Sequence, residues 1–420
     1  MGSELPAGTT PPRGLPDPSS IRWPLVAARD LFALQYGRAL VETNRRPGGV
    51  PVYGTNGQCG NHDSALFRGP GVILGRKGQG PLGVEWCPSD YWVIDTAYSL
   101  APLRDDIDLR YAYYLIKFVG LNHLKDGTSN PTLSRDSFGS QAFPLPPLAE
   151  QRRIADMLAA FDDKIELNRR MSQTLESMAR ALFKSWFVNF DPVRAQAEGT
   201  CAGLSTRLAS FFPDSFEDSR LGALPSGWRA STVGDEFRVV MGQSPPGETY
   251  NSDGVGAPFY QGRADFGDRF PSRRVYCTAP TRHASAGDTL VCVRAPVGDT
   301  NQASEDCAIG RGLAAVRHRS GAISYTYLAM RNLRDSFAAY EAGGTVFGAI
   351  GKDQFRDLPV IAPAAGAVVA FEEVAGSLDG KVARAQAQVS SLIEARDALL
   401  PLLLSGQRMA ADSKPKGVDP

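Results

Sequence analysis

The chain has 420 residues, enough for two or three domains with cores of their own. Its 45 Lys and Arg are matched by 45 Asp and Glu, a zero balance unlike that of a protein that grips nucleic acid by charge alone. No apolar run approaches the ~18 residues needed to span a bilayer, and no charged-then-apolar signal pattern opens the chain, so a cytoplasmic protein is expected.

Residues 1–20, rich in Pro, Gly, Ser and Thr, read as a disordered lead-in. Residues 21–147 alternate short apolar runs with Gly, Pro and Asn turns. They predict a mixed α+β domain with strands over 50–54, 71–75 and 91–95 and a helix over 109–121. From 148 to 190 the pattern changes. No Gly or Pro interrupts it, and Ile154, Leu158, Phe161, Ile165, Leu175, Leu182 and Trp186 form a heptad seam, with Asn168, Ser172 and Ala179 in the gaps. At about 1.5 Å per residue this is a rod of roughly 60 Å with one stripe to bury. Residues 191–227 form a connector with aromatic anchors, among them Phe211, Phe212 and Phe216. A second mixed domain spans 228–363. A second rod spans 364–408, with Phe371, Ala375, Leu378, Val382, Ala385, Val389, Leu392, Leu399 and Leu403 on its seam; Gly376, Gly380 and Pro401 weaken it. The two rods are expected to pair antiparallel. Residues 409–420 read as a disordered tail.

The second half repeats the first. Gly127, Thr128, Arg135, Asp136 and Phe138 recur as Gly344, Thr345, Lys352, Asp353 and Phe355, each 217 positions later. Trp23, Asp30 and Phe32 are matched more loosely by Trp228, Asp235 and Phe237. A period this long is a domain duplication rather than a solenoid, whose repeats run ~20–50 residues. The expected fold class is therefore α+β: two mixed α/β domains separated by two long antiparallel coiled-coil helices, in a pseudo-two-fold repeat. Two similar surfaces on stiff helices suit a long, roughly two-fold ligand, and double-stranded DNA is the leading candidate.

Catalytic constellations are absent from the sequence. Asn130-Pro131-Thr132-Leu133 lacks the second proline and the aromatic of an amino-methyltransferase loop, and Gly71 to Gly78 falls short of a phosphate loop. Cys59 and His62 have a metal-like gap with no second ligand pair, so no metal site is expected, and the six cysteines read as free thiols. What both repeats do carry is polar and cationic residues on turns. The first has Arg45, Arg46, Asn56, Gln58, Arg76, Lys77, Gln79, Ser129, Asn130 and Arg135. The second has Gln261, Arg263, Arg269, Arg273, Arg274, Arg294, Arg311, Thr345 and Lys352. Arg grips guanine O6 and N7 in a bidentate manner, and Asn or Gln does the same for adenine. Arg76 and Arg294 stand out, because each follows an apolar strand and precedes a glycine turn.

Leu145-Pro146-Pro147-Leu148-Ala149-Glu150-Gln151-Arg152-Arg153-Ile154 leads into the first rod, and Leu182-Phe183-Lys184-Ser185-Trp186-Phe187 through Asp191-Pro192-Val193 leaves it. With Phe212-Pro213-Asp214-Ser215-Phe216 and Leu399 through Gly406, these segments resemble the specificity subunit of type I restriction-modification enzymes, and the resemblance runs from Trp23 to Gln407. It implies a non-catalytic reader in which each mixed domain is a target-recognition domain for half of a split DNA site and each rod is a conserved spacer. Two modification subunits would carry S-adenosylmethionine chemistry, and restriction subunits would carry ATP-driven translocase and nuclease activity with Mg, leaving no cofactor on this chain. A pseudo-symmetric protein-binding scaffold, or an antirestriction or regulatory adaptor of the same descent, is the alternative. One departure stands out: Leu148, Glu150 and Gln151 of the first spacer become Ala365, Ala367 and Val368 in the second, which puts in question how symmetrically two partners would dock.

Overall fold

The computed structural model describes residues 4–200, 203–340 and 348–408. The chain divides into two units, residues 1–168 with 387–420 and residues 169–386.

The first unit opens with β1 (Leu25–Ala27), α1 (Ala28–Leu31) and β2 (Phe32–Tyr36). Then come β3 (Val50–Gly54), β4 (Gly57–His62), β5 (Gly71–Gly75), β6 (Val84–Cys87), β7 (Trp92–Val93) and β8 (Ala97–Pro102). Helix α2 (Leu109–Val119) starts on Asp108, whose carboxylate accepts from the Tyr111 amide at 2.9 Å, and stops at Gly120, where φ is 73°. The short strands β9 (Lys125–Asp126) and β10 (Thr132–Leu133), α3 (Arg135–Gly139) and β11 (Ala142–Pro144) complete the domain. Its main sheet is antiparallel in the order β2-β8-β5-β6, with a smaller sheet β4-β3-β7 and the pair β1-β11. The strand expected over 91–95 shrinks to Trp92–Val93, because Tyr91 bridges Phe67 and Asp95 turns to meet Lys77.

Residues 4–20 are not the free lead-in that their composition suggests. The Thr10 amide donates to Ser140 O at 2.8 Å, and Thr10 O accepts from the Ala142 amide at 2.9 Å, while Leu15 packs among Ile21, Trp23 and Leu25. An extended Pro-rich strap needs no core of its own once its backbone is paired to a neighbour. The tail 409–420 lies outside the described residues.

Helix α4 (Leu148–Lys184) and helix α11 (Ala365–Ser405) run through both units. In the first unit Ile154 and Leu158 share a core with Leu403 and Leu404, Arg396 reaches Asp162 at 2.6 Å, and Asn168 donates to Gln388 at 2.9 Å. Each step up one helix is matched by a step down the other, so the pairing is antiparallel. Asn168, a polar interruption of the heptad seam, is 1% exposed and spends its amide on that cross-helix bond to the exposed Gln388, a polar pair of the kind that fixes register. Gly376, Gly380 and Pro401 leave α11 unbroken.

In the second unit α4 ends in a π turn, Ser185–Asn189, and Phe190 takes a left-handed conformation before α5 (Asp191–Ala197). The connector then forms α6 (Thr206–Ala209) and the hairpin β12 (Phe216–Ser219) with β13 (Gly222–Pro225). The second domain follows the order of the first: β14 (Arg229–Thr232), α7 (Val233–Glu236), β15 (Phe237–Met241), β16 (Tyr250–Asn251), β17 (Ala257–Tyr260), β18 (Tyr276–Cys277) and β19 (His283–Ala284). After these come β20 (Thr289–Cys292), β21 (Thr300–Gln302), β22 (Cys307–Ile309), β23 (Leu313–His318), α8 (Ile323–Asn332), α9 (Arg334–Ala338), α10 (Lys352–Arg356) and β24 (Pro359–Ala362). Its main sheet, β15-β23-β20-β21, repeats β2-β8-β5-β6, and β14-β24 repeats β1-β11. Parallel pairing of β3 with β7 recurs as β17 with β22. Phe183, Trp186, Phe187, Phe371, Tyr325 and Trp228 share one aromatic core.

Candidate nucleic-acid interface

Four turns meet at the exit of β5. The Thr55 hydroxyl lies 2.8 Å from Lys77 O and 2.9 Å from Thr96 O, and the Gly83 amide donates to Thr55 O. The loop after β5 is knitted to residues 125–133: the Gly78 amide donates to Pro131 O, the Leu133 amide to Arg76 O, and the Gln79 side chain to Ser129 O at 2.9 Å. Lys125 donates to the carbonyls of Gly78 and Gly80. This gathers Asn56, Arg76, Lys77, Gln79, Ser129 and Asn130, while Arg135 joins through Tyr36. The guanidinium groups of Arg76 and Arg135 lie 4.7 Å and 4.3 Å from the Tyr36 ring centre, and Arg76 also donates to Asp95 O at 3.1 Å. Burial pushes the Tyr98 hydroxyl above its ordinary pKa, so it stays a donor, to Leu133 O.

Arg45, Arg46 and Gln58 lie along β4 instead. Arg45 donates to Cys59 O at 2.6 Å, Arg46 pairs with Asp63 at 2.7 Å, and Gln58 donates to Asn61 at 2.9 Å.

In the second unit the β20 exit repeats the β5 exit. Residue 77 bridges residue 132 antiparallel, and Arg294 bridges Ala349 in the same way. Both members of that bridge are offset by 217 positions, so Arg294 corresponds to Lys77, and Arg76 corresponds to the buried Val293. The two cations that look alike in sequence are therefore not equivalent. Arg76 is lodged against Tyr36 and Tyr98. Arg294 is exposed, with no side-chain partner among the described residues. Lys352, at the start of α10, and Arg311 are exposed as well.

Arg263, Arg269, Arg273 and Arg274, also singled out in the sequence, are engaged. Arg263 pairs with Asp299 at 2.8 Å, Arg273 with Glu305 at 2.5 Å and Arg274 with Asp265 at 2.6 Å. Arg269 is 3% exposed, lies 3.5 Å from the Tyr327 ring centre and pairs with Asp379 at 2.8 Å, so it belongs to the interior and not to a binding surface. Thr345 lies outside the described residues. Tyr36, Thr55, Lys125 and Asp95 build the first site yet carry no motif in the sequence; only the fold brings them together.

The family profile described as "Type I restriction modification DNA specificity domain" matches residues 21–177. The putative type I restriction enzyme MjaX specificity subunit of Methanocaldococcus jannaschii is 27% identical over 317 residues, covering 73% of this chain and 70% of that one. The HindI specificity subunit of Haemophilus influenzae is 25% identical over 334 residues, covering 66% and 71%. Over about two thirds or more of its length the chain is similar to specificity subunits of type I restriction enzymes. The fold of this chain agrees with the crystal structure of the S subunit from M. genitalium, at TM-score 0.64 and 16% identity over 91% of this chain and 96% of that one. These relatives do not favour the scaffold or adaptor alternative. Among the described residues no helix is long and apolar enough to cross a membrane.

Proposed function

We propose that each mixed domain of this chain reads one half of a bipartite DNA target inside the cell. The paired helices set the gap between the halves and dock two modification subunits, on which restriction subunits assemble. S-adenosylmethionine, ATP and Mg belong to those partners. The main support is the repeated loop register: the same β-exit turn offers Lys77 in one unit and Arg294 in the other, bridged to Thr132 and to Ala349 respectively. Lys77 is partly neutralised by Asp95 at 3.1 Å, whereas Arg294 is free to reach a base edge or a phosphate.

Replacing residues 21–147 by the corresponding domain of a relative, followed by methylation sequencing of host DNA, tests the reading. One half-site should change and the other stay; a change in both, or in neither, refutes it. Within the second half-site, Arg294→Ala should cost ~1–3 kcal/mol and relax one base position if it reads guanine. If it holds phosphate, binding should weaken evenly across sequences, with a salt slope smaller by about one.

A further inference from the structure

The second unit contains a cleft of about 520 Å3 beside the β20 exit. One wall is the end of α4, with Arg180, Phe183 and Lys184. The opposite wall is the end of α8 with Arg331, followed by Arg334, and the loops at 263–268 and 298–300 close it. Gly298 belongs to this closure. Its φ is 89°, and an added Cβ would stand 2.6 Å from Phe337, so the loop takes this path only with glycine there.

The charges of the cleft are unequal. Arg180, Lys184, Arg263, Arg331 and Arg334 line it against Asp268 and Asp299. Asp299 is taken by Arg263, and Arg331 leans on the Tyr327 hydroxyl at 3.0 Å. Arg180, Lys184 and Arg334 are exposed and have no hydrogen-bond or ion-pair partner among the described residues. Beneath, Arg269 is already matched by Asp379. Glu176, one turn before Arg180, has its carboxyl pushed above the usual carboxylate range by burial, opposed by Arg269 and Arg331. A concave surface lined by one sign of charge focuses its field on an incoming anion. The rim is continuous with the candidate recognition loop, since residues 294 and 298–300 lie on the same β20–β21 connection.

We propose that this cleft seats the DNA backbone beside the half-site of the second unit, with Arg180, Lys184 and Arg334 holding phosphates independently of sequence. The proposal rests on the DNA-reading function above. It supplies what the recognition loops of this unit lack, because Arg263, Arg273 and Arg274 are bound to carboxylates of their own domain.

The test uses the full chain assembled with its modification subunits. Affinity for the cognate duplex and for single-base variants is measured at several salt concentrations, for wild type, for Arg334→Ala and for the triple variant Arg180→Ala/Lys184→Ala/Arg334→Ala. Each lost phosphate contact should reduce the slope of log affinity against log salt by about 0.9. The triple variant should bind all duplexes more weakly by one common factor while keeping its base preference, with Arg334→Ala between it and wild type. Wild-type affinity and slope in an assembled triple variant would overturn the proposal. So would a lost base preference, or failure to assemble with the modification subunits, which would mark the cleft as a seat for an acidic protein segment. A wild-type complex without sequence preference would instead sink the DNA-reading function itself, whatever the variants did.

Discussion

The two units fasten a long helix to a short one by different chemistry. In the first, α2 carries its own cap, Asp108, and Gln151 of α4 adds a neutral clasp. Its amide accepts from the Asp108 amide at 2.8 Å and donates to Asp106 O and Pro146 O at 2.9 Å. In the second, α8 begins at Ala322 with no side-chain cap. Glu372 of α11 supplies one, accepting from the amides of Ile323, Ser324 and Tyr325 at 3.1, 3.0 and 3.1 Å. The residue that corresponds to Gln151 is Val368, one turn earlier. The clasp has moved along the helix and gained a charge, which suits the positive end of the α8 dipole. The departure in the second spacer is thus a change in internal capping. Glu150 and Gln151 are 4% and 0% exposed, so neither offers a docking surface for a partner.

Three measurements sharpen or break this contrast. The largest effect is expected from the seam residues that correspond across the repeat, Phe371 and Ile154, both fully buried. Phe371→Ala removes ring contacts with Phe183, Trp186, Phe187 and Tyr325 and should cost about 3–5 kcal/mol; Ile154→Ala should cost about 2–5. Hydrogen exchange should show the first loosening α8 and the second α2. Exchange that rises equally in both helices would show that the clasps do not act locally.

Next comes Glu372→Ala, which strands three helix-start amides and should cost about 3 kcal/mol in urea unfolding, with Glu372→Gln intermediate. Gln151→Ala should cost less, about 1–2 kcal/mol, because Asp108 still caps α2. A reversed order would mean that the carboxylate is the weaker clasp.

The smallest effect concerns pH. His318, half-buried between Phe237 and Tyr325, is held below its ordinary pKa by burial, opposed by Glu236 and Glu372. The folded state therefore prefers the neutral ring, while the unfolded chain takes up its proton at higher pH. Stability is full above the ordinary histidine range and falls as pH drops through it. His318→Phe keeps the ring contacts and should flatten the loss between about pH 7.5 and about pH 5.5. An equal loss in wild type and variant would assign the acid sensitivity to other groups.

The long helices were legible because the heptad seam and the absence of breakers in α4 leave no competing pattern. Their pairing followed from two unburied stripes of similar length. The duplication was legible from side chains at 127–138 and 344–355. The correspondence of Lys77 with Arg294 was not, because it is fixed by main-chain bridges and the matching cations fall in loops that share no motif. Nor was the fate of the arginines in the second domain legible. Arg269 and Arg273 read alike in sequence, yet one is stacked under Tyr327 and the other pairs at the surface with Glu305, a distinction made by residues about 30 to 110 positions away. The lead-in was misread because composition reports the lack of a core, not the presence of an unpaired edge to lie against.

The bridge at 294–349 holds its turn through backbone atoms, and Arg294 has no side-chain partner among the described residues, so the fold makes no demand on the side chain carried there. A mutation at residue 294 can alter chemistry at the surface without first having to be rescued by stabilising changes elsewhere. If the turn meets DNA as proposed, lineages carrying this protein can explore new targets in single steps, each remaining folded, and two halves that diversify separately multiply the variants a population can hold.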